Sequence, residues 1–418
     1  MKRWSRIVTV AAAMAVFAQG MMAAQFAHTR GEDVLDGSGK VIHLKGTNLG
    51  NWMVPEGYMW RFDGGPQSPK EIYNFVTELI GPTRAEQFWQ AYRANYITQD
   101  DIRFIRAQGF NVIRVPMHWQ LFQTPDAEGF RLLDNVVRWS KAAGLYVVLD
   151  LHAAPGGQTG ANIDDGHGYP WLLVDAGAQQ QTIDLWSRLA KHYRNEPTVL
   201  GYDLLNEPIP NYPGLESLNP RLEPLYKRIA AAIRQVDRHH ILILGGAQWD
   251  GNLAVFGPPF DSNMIYTVHR YKTAPEQSAL TKWIAFRDKY QVPVWLGESG
   301  ENTDEWVTAF RTLLEKNDFG WAFWPYKKMQ VTSALVSYAP PPGWDQIVAF
   351  ARLPRGDGAV KERQRQRPPQ TVIDAAMAGL LENIQLAHDS INAGYIHALL
   401  PGAPATALPM AGGAESGK

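Results

Sequence analysis

Eight short, almost wholly apolar runs recur along the chain, and most of them are separated by segments with helical periodicity. Several runs are introduced in the same way, by a helical pattern and then a glycine or polar break, as in residues 107–110 and 142–145. Continuous apolar strands that alternate with helices indicate a parallel sheet buried on both faces. The runs are Ile42–Leu49, Val112–Met117, Leu145–Leu151, Val199–Leu205, Ile241–Leu244, Met264–Val268, Val292–Leu296 and Trp321–Trp324.

Eight such units between about residues 40 and 400 predict an α/β fold, a (β/α)8 TIM barrel in a single domain. A doubly wound open sheet is the alternative. That fold usually has fewer strands and a glycine-rich phosphate-binding turn after the first strand, and this turn is missing here. We therefore expect one catalytic barrel domain over residues 25–400.

The segments outside the eight units have their own patterns. Residues 34–42 predict a short hairpin around a glycine-rich turn, and the proline-rich residues 328–369 predict an extended loop after the last strand. Apolar residues at helical spacing over 372–384 predict the closing helix. Residues 401–418 are rich in Ala, Gly and Pro, which predicts a disordered tail.

The first 24 residues have the order of a secretory signal peptide. Lys2, Arg3 and Arg6 precede an apolar run over 7–18, and small residues follow up to Ala24. The run is too short to span a bilayer as a helix, and no later segment is long and apolar enough. The sequence thus predicts a secreted or periplasmic protein without a membrane span after cleavage; an uncleaved anchor is the alternative.

Composition narrows the possible functions. The 418 residues carry 40 Lys and Arg against 41 Asp and Glu, a net charge of −1, which argues against binding to nucleic acid. The absence of cysteine excludes disulfides, thiolate metal sites and thiol nucleophiles. Fifteen Trp beside 16 Tyr and 16 Phe suit both a large aromatic core and the binding of sugar-like surfaces.

Polar side chains stand at or just after the ends of the apolar runs, where barrel enzymes place their active sites. Two carboxylates, Glu207 and Glu298, follow or end runs four and seven and should face each other across the mouth. Glycoside hydrolysis requires such a pair, one protonated and one ionised. Arg114 should hold the ionised partner charged, and mutual repulsion should separate the two pKa values. The polar residues at these ends are Arg114, His152, Asn206, Glu207, His269, Tyr271, Glu298 and Trp324.

Two other interpretations of these residues stay open. A glutamate at a strand end is often only a partner in a loop salt bridge. Asp164, Asp165 and His167 have a spacing that suits a metal site, although a polar loop bounded by glycines explains them more simply. No metal or organic cofactor is expected, because the two carboxylates supply both the proton transfer and the nucleophile.

Two motifs carry a family resemblance, Leu204-Leu205-Asn206-Glu207-Pro208 and Trp295-Leu296-Gly297-Glu298. Together they resemble glycoside hydrolase family 5, the cellulase-like family of the barrel clan. The resemblance implies that Glu207 is the acid/base and Glu298 the nucleophile. It also implies that Asn206 bonds the sugar 2-hydroxyl, and that Trp324 lies under the reacting sugar. Arg114, His152, His269 and Tyr271 would position the carboxylates and the glycosyl unit.

Residues 48–56 and 150–158 are similar to the exo-β-1,3-glucanase branch, with departures at Asn51, Pro55 and residues 117–119. This likeness implies that Glu56 contacts the terminal glucose. The expected partner is a β-glucan or an oligosaccharide derived from it, and we expect a monomer. A β-1,4-glucan, a mannan or a glycolipid headgroup is the alternative substrate, and a non-catalytic carbohydrate-binding barrel is the alternative outside enzymes.

Overall fold

The computed structural model describes residues 26–406, and its centre is a closed barrel of eight parallel strands. Each strand lies within or overlaps one of the eight apolar runs, so the predicted (β/α)8 fold is confirmed. The last strand pairs in parallel with the first and closes the ring. In chain order the strands are β1 (Lys45–Asn48), β2 (Val112–His118), β3 (Tyr146–Ala153), β4 (Val199–Asp203), β5 (Ile241–Gly245), β6 (Met264–His269), β7 (Val294–Glu298) and β8 (Trp321–Phe323).

The strands are apolar throughout because both of their faces are buried. One face contributes to a cluster with Val112, Val148 and Ile241, and the other packs in the larger core shared with the surrounding helices. Ala27 and Val34, near the start of the described chain, belong to the smaller cluster. The chain before β1 therefore packs against residues of the barrel strands.

Helices connect most of the barrel strands, and most of these helices bury apolar residues, although the short helix Val360–Gln366 buries only Arg363. The connection from β5 to β6 is an exception, with only a 3-10 turn at Leu253–Val255 among its described residues. Gly251, Gly257 and two prolines at 258–259 break this segment, which explains the missing helix. The α-helices are α1 (Pro69–Ile80), α2 (Pro82–Tyr96), α3 (Gln99–Gln108), α4 (Glu128–Ala143), α5 (Ala176–Tyr193), α6 (Asn219–Val236), α7 (Thr281–Tyr290), α8 (Asp304–Lys316), α9 (Trp344–Ala351), α10 (Val360–Gln366), α11 (Gln370–Asn383) and α12 (Ala393–Leu399).

The prediction of an extended loop over residues 328–369 is wrong. This segment contains the strand Val336–Tyr338 and the helices α9 and α10, and its first residues end the strand Lys327–Met329. Val336–Tyr338 pairs in parallel with Lys327–Met329 and antiparallel with Ser390–Ile391. The buried face of α9 spans only two turns between proline-rich stretches, too short a stretch for its periodicity to stand out. The closing helix over 372–384 is confirmed as α11.

The structure describes only part of the two chain ends for which the sequence made predictions. Residues 1–24, the predicted signal peptide, lie outside the described residues. The glycine-rich turn before β1 is present, with Leu35 bridged to Val41. Residues 401–406, assigned to the tail, pack on the barrel, where the Ala405 N–H donates to Gln108 Oε1 at 2.7 Å. The rest of the predicted tail lies outside the described residues. No helix in the described part is long and apolar enough to cross a membrane.

Candidate active site

Glu298 ends β7, with its carboxylate at the carboxyl end of the barrel. The Arg114 guanidinium of β2 donates from Nη1 to Glu298 Oε1, and the Tyr271 hydroxyl donates to Oε2 at 3.1 Å. Two donors of this kind favour the ionised carboxylate. The expected contact between Arg114 and one partner of the pair is present.

Arg114 is fully buried, and it also faces two aspartates that sequence reasoning missed. Its Nε donates to Asp203 Oδ2 at 2.7 Å, and its Nη2 lies 3.0 Å from Asp150 Oδ1. Burial raises the pKa of both aspartates to about 7, although Arg114 opposes this shift. One guanidinium thus serves three carboxyl groups, which fixes its orientation beneath Glu298.

Glu207 follows β4 in a loop, in the left-handed backbone region with φ of 49°. A glutamate is uncommon in that region, so the conformation needs support. The Asp250 carboxylate accepts the Glu207 backbone N–H at 3.0 Å, and His269 Nδ1 lies 3.1 Å from Glu207 Oε1. Burial raises the pKa of Glu207, opposed by His152 and Arg114. A raised pKa is what a general acid at neutral pH requires.

The two glutamates face each other at short range. One carboxylate oxygen of each, together with a nitrogen of His269, lies in a group whose atoms are all within 4.8 Å of one another. Retaining glycosidases place their two carboxyl groups about 5 Å apart, whereas inverting ones leave about 6.5–9.5 Å for a water. The arrangement suits direct attack by one carboxylate.

Two neutral histidines, His152 and His269, complete the floor of the site. Burial lowers the pKa of His152 to about 4 and that of His269 to about 3. His152 Nδ1 lies 2.8 Å from Asp150 Oδ2, and its ring stacks on Trp324 with centroids 5.6 Å apart and planes at 5°. The parallel rings present flat surfaces beside the carboxylates, as a sugar platform requires.

Trp324 follows β8, and its ring is held in place by Tyr58 and by the close approach of Gly50. Its indole N–H donates to the Tyr58 hydroxyl at 2.8 Å. A Cβ at Gly50 would overlap the Trp324 ring, so only glycine leaves room for the observed ring position. The Lys328 ammonium lies 4.1 Å from the centre of the Tyr58 ring and 2.5 Å from Glu301 Oε1. Sequence reasoning found Trp324 but not Tyr58, which no periodicity or motif marks.

Glu56 lies just before a 3-10 turn and is 5% exposed. Its Oε1 is buried without a hydrogen-bond partner among the described residues. Burial raises the pKa of Glu56 well above its ordinary value, and the charges of Glu298, Glu301 and Glu207 raise it further. A buried polar atom without a partner costs free energy unless a ligand satisfies it. This acceptor is therefore available to a bound hydroxyl.

These groups line one cavity of about 330 Å³ at the carboxyl end of the barrel. Ile163, from the loop between β3 and α5, forms part of its wall. All nine residues singled out in the sequence meet at or directly beneath this cavity. The lining consists of Glu56, Tyr58, His152, Ile163, Glu207, Tyr271, Lys272, Glu298, Gly300, Glu301 and Trp324.

Some of the missed groups had a signal in the sequence. Asp150 precedes His152 by two residues on β3, so the two-residue period of a strand places both side chains on the same side of the sheet. Asp203 is the last residue of β4, and this position at a strand end is its signal in the sequence. Asp250 had no such signal, since it lies in an irregular loop far from Glu207 in the sequence.

Within residues 26–406, two groups of side chains have the spacing of metal ligands, and both contain Glu298. Arg114 already supplies a cation to Glu298 and Asp150, and Tyr271 occupies the other Glu298 oxygen. The two aspartates of the metal site suggested around Asp164 make contacts within the protein instead. Asp164 Oδ2 accepts from the Thr159 hydroxyl at 2.9 Å. Asp165 Oδ2 lies 2.9 Å from His118 Nε2.

The fold and the paired carboxylates define the class of barrel glycoside hydrolases. Residues 74–330 match the profile described as Cellulase (glycosyl hydrolase family 5), well over half of the chain. The chain belongs to glycosyl hydrolase family 5, which confirms the family expected from the two glutamate motifs.

Two curated relatives carry glycosidase names. The chain is 30% identical over 299 residues to "Beta-xylosidase" of Phanerodontia chrysosporium, a match that covers 69% of this chain and 60% of that protein. It is 33% identical over 202 residues to "Probable glucan 1,3-beta-glucosidase A" of Aspergillus fumigatus, covering 46% and 47%. The chain thus spans about half to three fifths of the length of these relatives.

A solved structure supports the fold. The crystal structure of an endogalactoceramidase superimposes with a TM-score of 0.58 at 20% sequence identity, over 90% of this chain and 84% of that one. At this identity the likeness concerns the barrel architecture alone.

Proposed function

We propose that the protein is a retaining β-glycoside hydrolase that removes the terminal sugar from the non-reducing end of β-glucans, with β-1,3-linked glucan as the first candidate. The observation that carries the proposal is the pair Glu207 and Glu298, with carboxylate oxygens within 4.8 Å at a cavity that also holds Glu56. Membership of family 5 supports the reaction class, and the glucosidase relative supports the linkage.

In the first step Glu298 attacks the anomeric carbon and forms an ester bond to it. Glu207 gives its proton to the glycosidic oxygen, the carbon–oxygen bond breaks, and the leaving sugar departs with that proton. Arg114 and Tyr271 orient Glu298 by donating a hydrogen bond to each of its carboxylate oxygens. The raised pKa of Glu207 keeps the proton available.

In the second step Glu207, now a carboxylate, accepts a proton from water while the water oxygen attacks the anomeric carbon. The ester bond to Glu298 breaks, and the sugar leaves with the same anomeric configuration as in the substrate. Asn206 lies next to Glu207, and its Oδ1 accepts from Arg114 at 2.9 Å. Its amide Nδ2 is buried without a partner among the described residues, which leaves a donor for the sugar 2-hydroxyl.

Action from the chain end rests on Glu56. Its unpartnered oxygen would accept a hydrogen bond from a terminal hydroxyl, and a hydrogen bond of ordinary strength is worth about 0.5–1.5 kcal/mol. A hydroxyl substituted by a further sugar lacks the donor proton, so an internal residue would leave this acceptor unsatisfied. Tyr58 and Ile163 in the cavity lining support a closed pocket rather than an open cleft.

A terminal xylose is the second candidate for the released sugar, because the β-xylosidase relative covers the larger share of this chain. Xylose lacks the hydroxymethyl group of glucose but presents the same ring hydroxyls to the carboxylates. The two sugars thus share the mechanism and differ only in how the cavity is filled.

Export of the protein is part of the proposal and rests on the pattern of residues 1–24. A polymeric glucan does not enter cells, so an enzyme for it must act outside the cytoplasm.

The test is turnover by the purified protein of β-1,3-, β-1,4- and mixed-linkage glucans, with sizing of the first products, beside aryl β-glucoside and aryl β-xyloside. We expect single sugars from the outset on β-1,3-glucan, and the β-anomer first by proton NMR. Early release of long oligosaccharides with a rapid fall in viscosity would contradict end action. Initial appearance of the α-anomer would contradict retention.

A further inference from the structure

Glu301 is a further carboxylate of the cavity, and the proposed mechanism assigns no role to it. It lies three residues after Glu298, in the loop between β7 and α8, and it lines the cavity together with Glu56. Its side chain is 25% exposed. Its Oε1 accepts from the Lys328 ammonium at 2.5 Å, whereas its Oε2 accepts no hydrogen bond within residues 26–406. One carboxylate oxygen is therefore held by the protein, and the other is available to a ligand.

Lys328 connects Glu301 with the sugar platform. The Lys328 side chain is only 12% exposed, so its charge needs a partner, and Glu301 supplies one. The Lys328 ammonium also lies 4.1 Å from the centre of the Tyr58 ring, and the Tyr58 hydroxyl accepts the indole N–H of Trp324 at 2.8 Å. A continuous series of contacts thus runs from the Glu301 carboxylate to the Trp324 ring.

The backbone around Glu301 is also fixed against the platform. The Ser299 carbonyl accepts the Trp324 N–H at 2.7 Å, and Gly300 forms a parallel bridge with Trp324. The Tyr395 hydroxyl donates to the Trp324 carbonyl at 3.3 Å. Glu301 itself has a φ of 49°, in the left-handed region that a residue with a side chain adopts only where its surroundings enforce it. The position of this carboxylate beside the platform is therefore set by the fold.

The ring of strands indicates which part of a bound sugar faces Glu301. Asn206, the proposed partner of the sugar 2-hydroxyl, follows β4, and β4 stands opposite β8 in the closed barrel. In a pyranose ring C5 lies opposite C2. A sugar whose 2-hydroxyl points to the β4 side therefore directs C5 toward the loops after β8 and its neighbours β7 and β1. Glu301 follows β7 and Lys328 follows β8, so both lie on the C5 side of the sugar.

We propose that Glu301 binds the 6-hydroxyl of a terminal glucose, and that this bond makes the enzyme select a β-glucoside over a β-xyloside. The inference rests on the proposed function and decides between its two candidate sugars. C5 carries a hydroxymethyl group in glucose and no carbon substituent in xylose. The Oε2 atom of Glu301 accepts the proton of that hydroxyl, while Lys328 holds the carboxylate in place. Glu56 remains for a hydroxyl that the sugar ring carries directly.

A hydrogen-bond acceptor selects differently from the shape of a cavity. A sugar without the 6-hydroxyl covers the Glu301 carboxylate and leaves its oxygen without a partner, which a site built for a hydroxyl strongly disfavours. Shape alone would treat a methyl group and a hydroxymethyl group on C5 nearly alike. A 6-deoxy sugar therefore separates the hydrogen bond from the filling of space.

The test compares three aryl β-glycosides with the same leaving group. These are the glucoside, the 6-deoxyglucoside, which keeps the carbon but lacks the hydroxyl, and the xyloside, which lacks both. For Glu301→Ala we expect kcat/KM on the glucoside to fall at least about tenfold, because the lost bond has a charged acceptor. On the other two glycosides kcat/KM should change by less than about threefold, since neither makes the bond. Glu301→Gln keeps the shape of the side chain, so its loss should be smaller and again confined to the glucoside.

Lys328→Met releases the Glu301 carboxylate and should lower the ratio of kcat/KM on the glucoside to kcat/KM on the 6-deoxyglucoside. Glu305→Gln, at an exposed glutamate in the first turn of α8, is the matched control and should leave all three values unchanged. Equal losses on all three glycosides in both Glu301 variants would overturn the inference, as would a higher kcat/KM of the unaltered protein on the xyloside than on the glucoside. Absence of turnover of all three glycosides by the unaltered protein would contradict the proposed function itself, and the inference with it.

Discussion

Asp250 and Glu207 lie 43 residues apart in the sequence, yet the Asp250 carboxylate accepts the backbone N–H of Glu207 at 3.0 Å. This bond holds Glu207 in a left-handed conformation with φ of 49°, and it directs the side chain toward His269 and Glu298. Asp250 thereby acts as a positioning residue that does not itself reach the proposed reacting atoms. The placement of Glu207, the proposed acid, depends on a contact between two loops as well as on the strand that precedes it.

The first prediction concerns this contact. Asp250→Ala removes the acceptor for the Glu207 N–H, so kcat should fall about tenfold while KM changes little, because a donor left without its partner costs about 1–3 kcal/mol. Asp250→Asn keeps an oxygen at the same place and should retain most of the activity. Steady-state kinetics on one aryl glycoside measures both variants. A fall in Asp250→Asn equal to that in Asp250→Ala would show that the acceptor is not what matters.

The second prediction separates the roles of the two glutamates. Glu298→Gln should abolish turnover on every substrate, since an amide does not form the ester intermediate. Glu207→Gln should impair substrates with poor leaving groups most, because a good leaving group needs little protonation. Parallel assays on an activated aryl glycoside and a natural oligosaccharide, with the first step rate-limiting, distinguish the two. Equal losses on both substrates in both variants would show that the roles are wrongly assigned.

The third prediction concerns pH. Because burial raises the pKa of Glu207, its acid form persists to higher pH than that of an ordinary glutamate, and kcat/KM should fall as pH rises through this raised pKa. The pKa values of His152 and His269, lowered to about 4 and about 3, keep both rings neutral around neutrality, so neither should titrate there. A pH profile of Glu207→Gln on an activated aryl glycoside should lack the basic limb. Its survival in that variant would assign the limb to another group.

The fourth prediction concerns the close contact between Gly50 and the Trp324 ring. Gly50→Ala places a methyl group where the Trp324 ring lies, so the ring must move away from its stack with His152. Displacement of about 1 Å at an active site costs up to about a hundredfold in rate, and we expect a loss of about tenfold to a hundredfold in kcat/KM. Gly358→Ala, with open space around its Cβ position, is the control and should keep full activity. Full activity in both variants would exclude Trp324 as the sugar platform.

The sequence predicts the barrel because every strand is buried on both faces and therefore reads as an unbroken apolar run. Glu298 ends β7 and is found for the same reason, since strand ends meet at one mouth. The expectation that Arg114 ends its run is wrong, because Arg114 lies inside β2 and reaches Glu298 through its long side chain. Loop contacts have no such periodic signal. Asp250 supports Glu207 from an irregular turn, and Tyr58 reaches Trp324 from a 3-10 turn after β1. Their positions depend on tertiary packing that no local pattern encodes.

In the segment after β8 a local pattern is present, but it predicts the wrong structure. Its prolines at 340–342 and 368–369 favoured a loop, although Trp344, Ile347 and Phe350 between them bury one face of a short helix. A helix of two turns gives too few repeats for its period to stand out against the flanking prolines. Tertiary burial of the indole, whose N–H donates to Trp60 O at 3.1 Å, stabilises what the pattern alone does not specify.

The fifth prediction concerns metal. Glu298 belongs to both groups of side chains with metal-ligand spacing, but the Arg114 guanidinium already supplies a positive charge to it, and Tyr271 occupies its second oxygen. A divalent ion at Glu298 would have to displace both donors and would occupy the proposed nucleophile. We therefore expect full activity after exhaustive dialysis against a chelator, measured on an aryl β-glycoside. A large loss that one divalent ion restores would contradict the mechanism and assign a ligand role to His152 or His269.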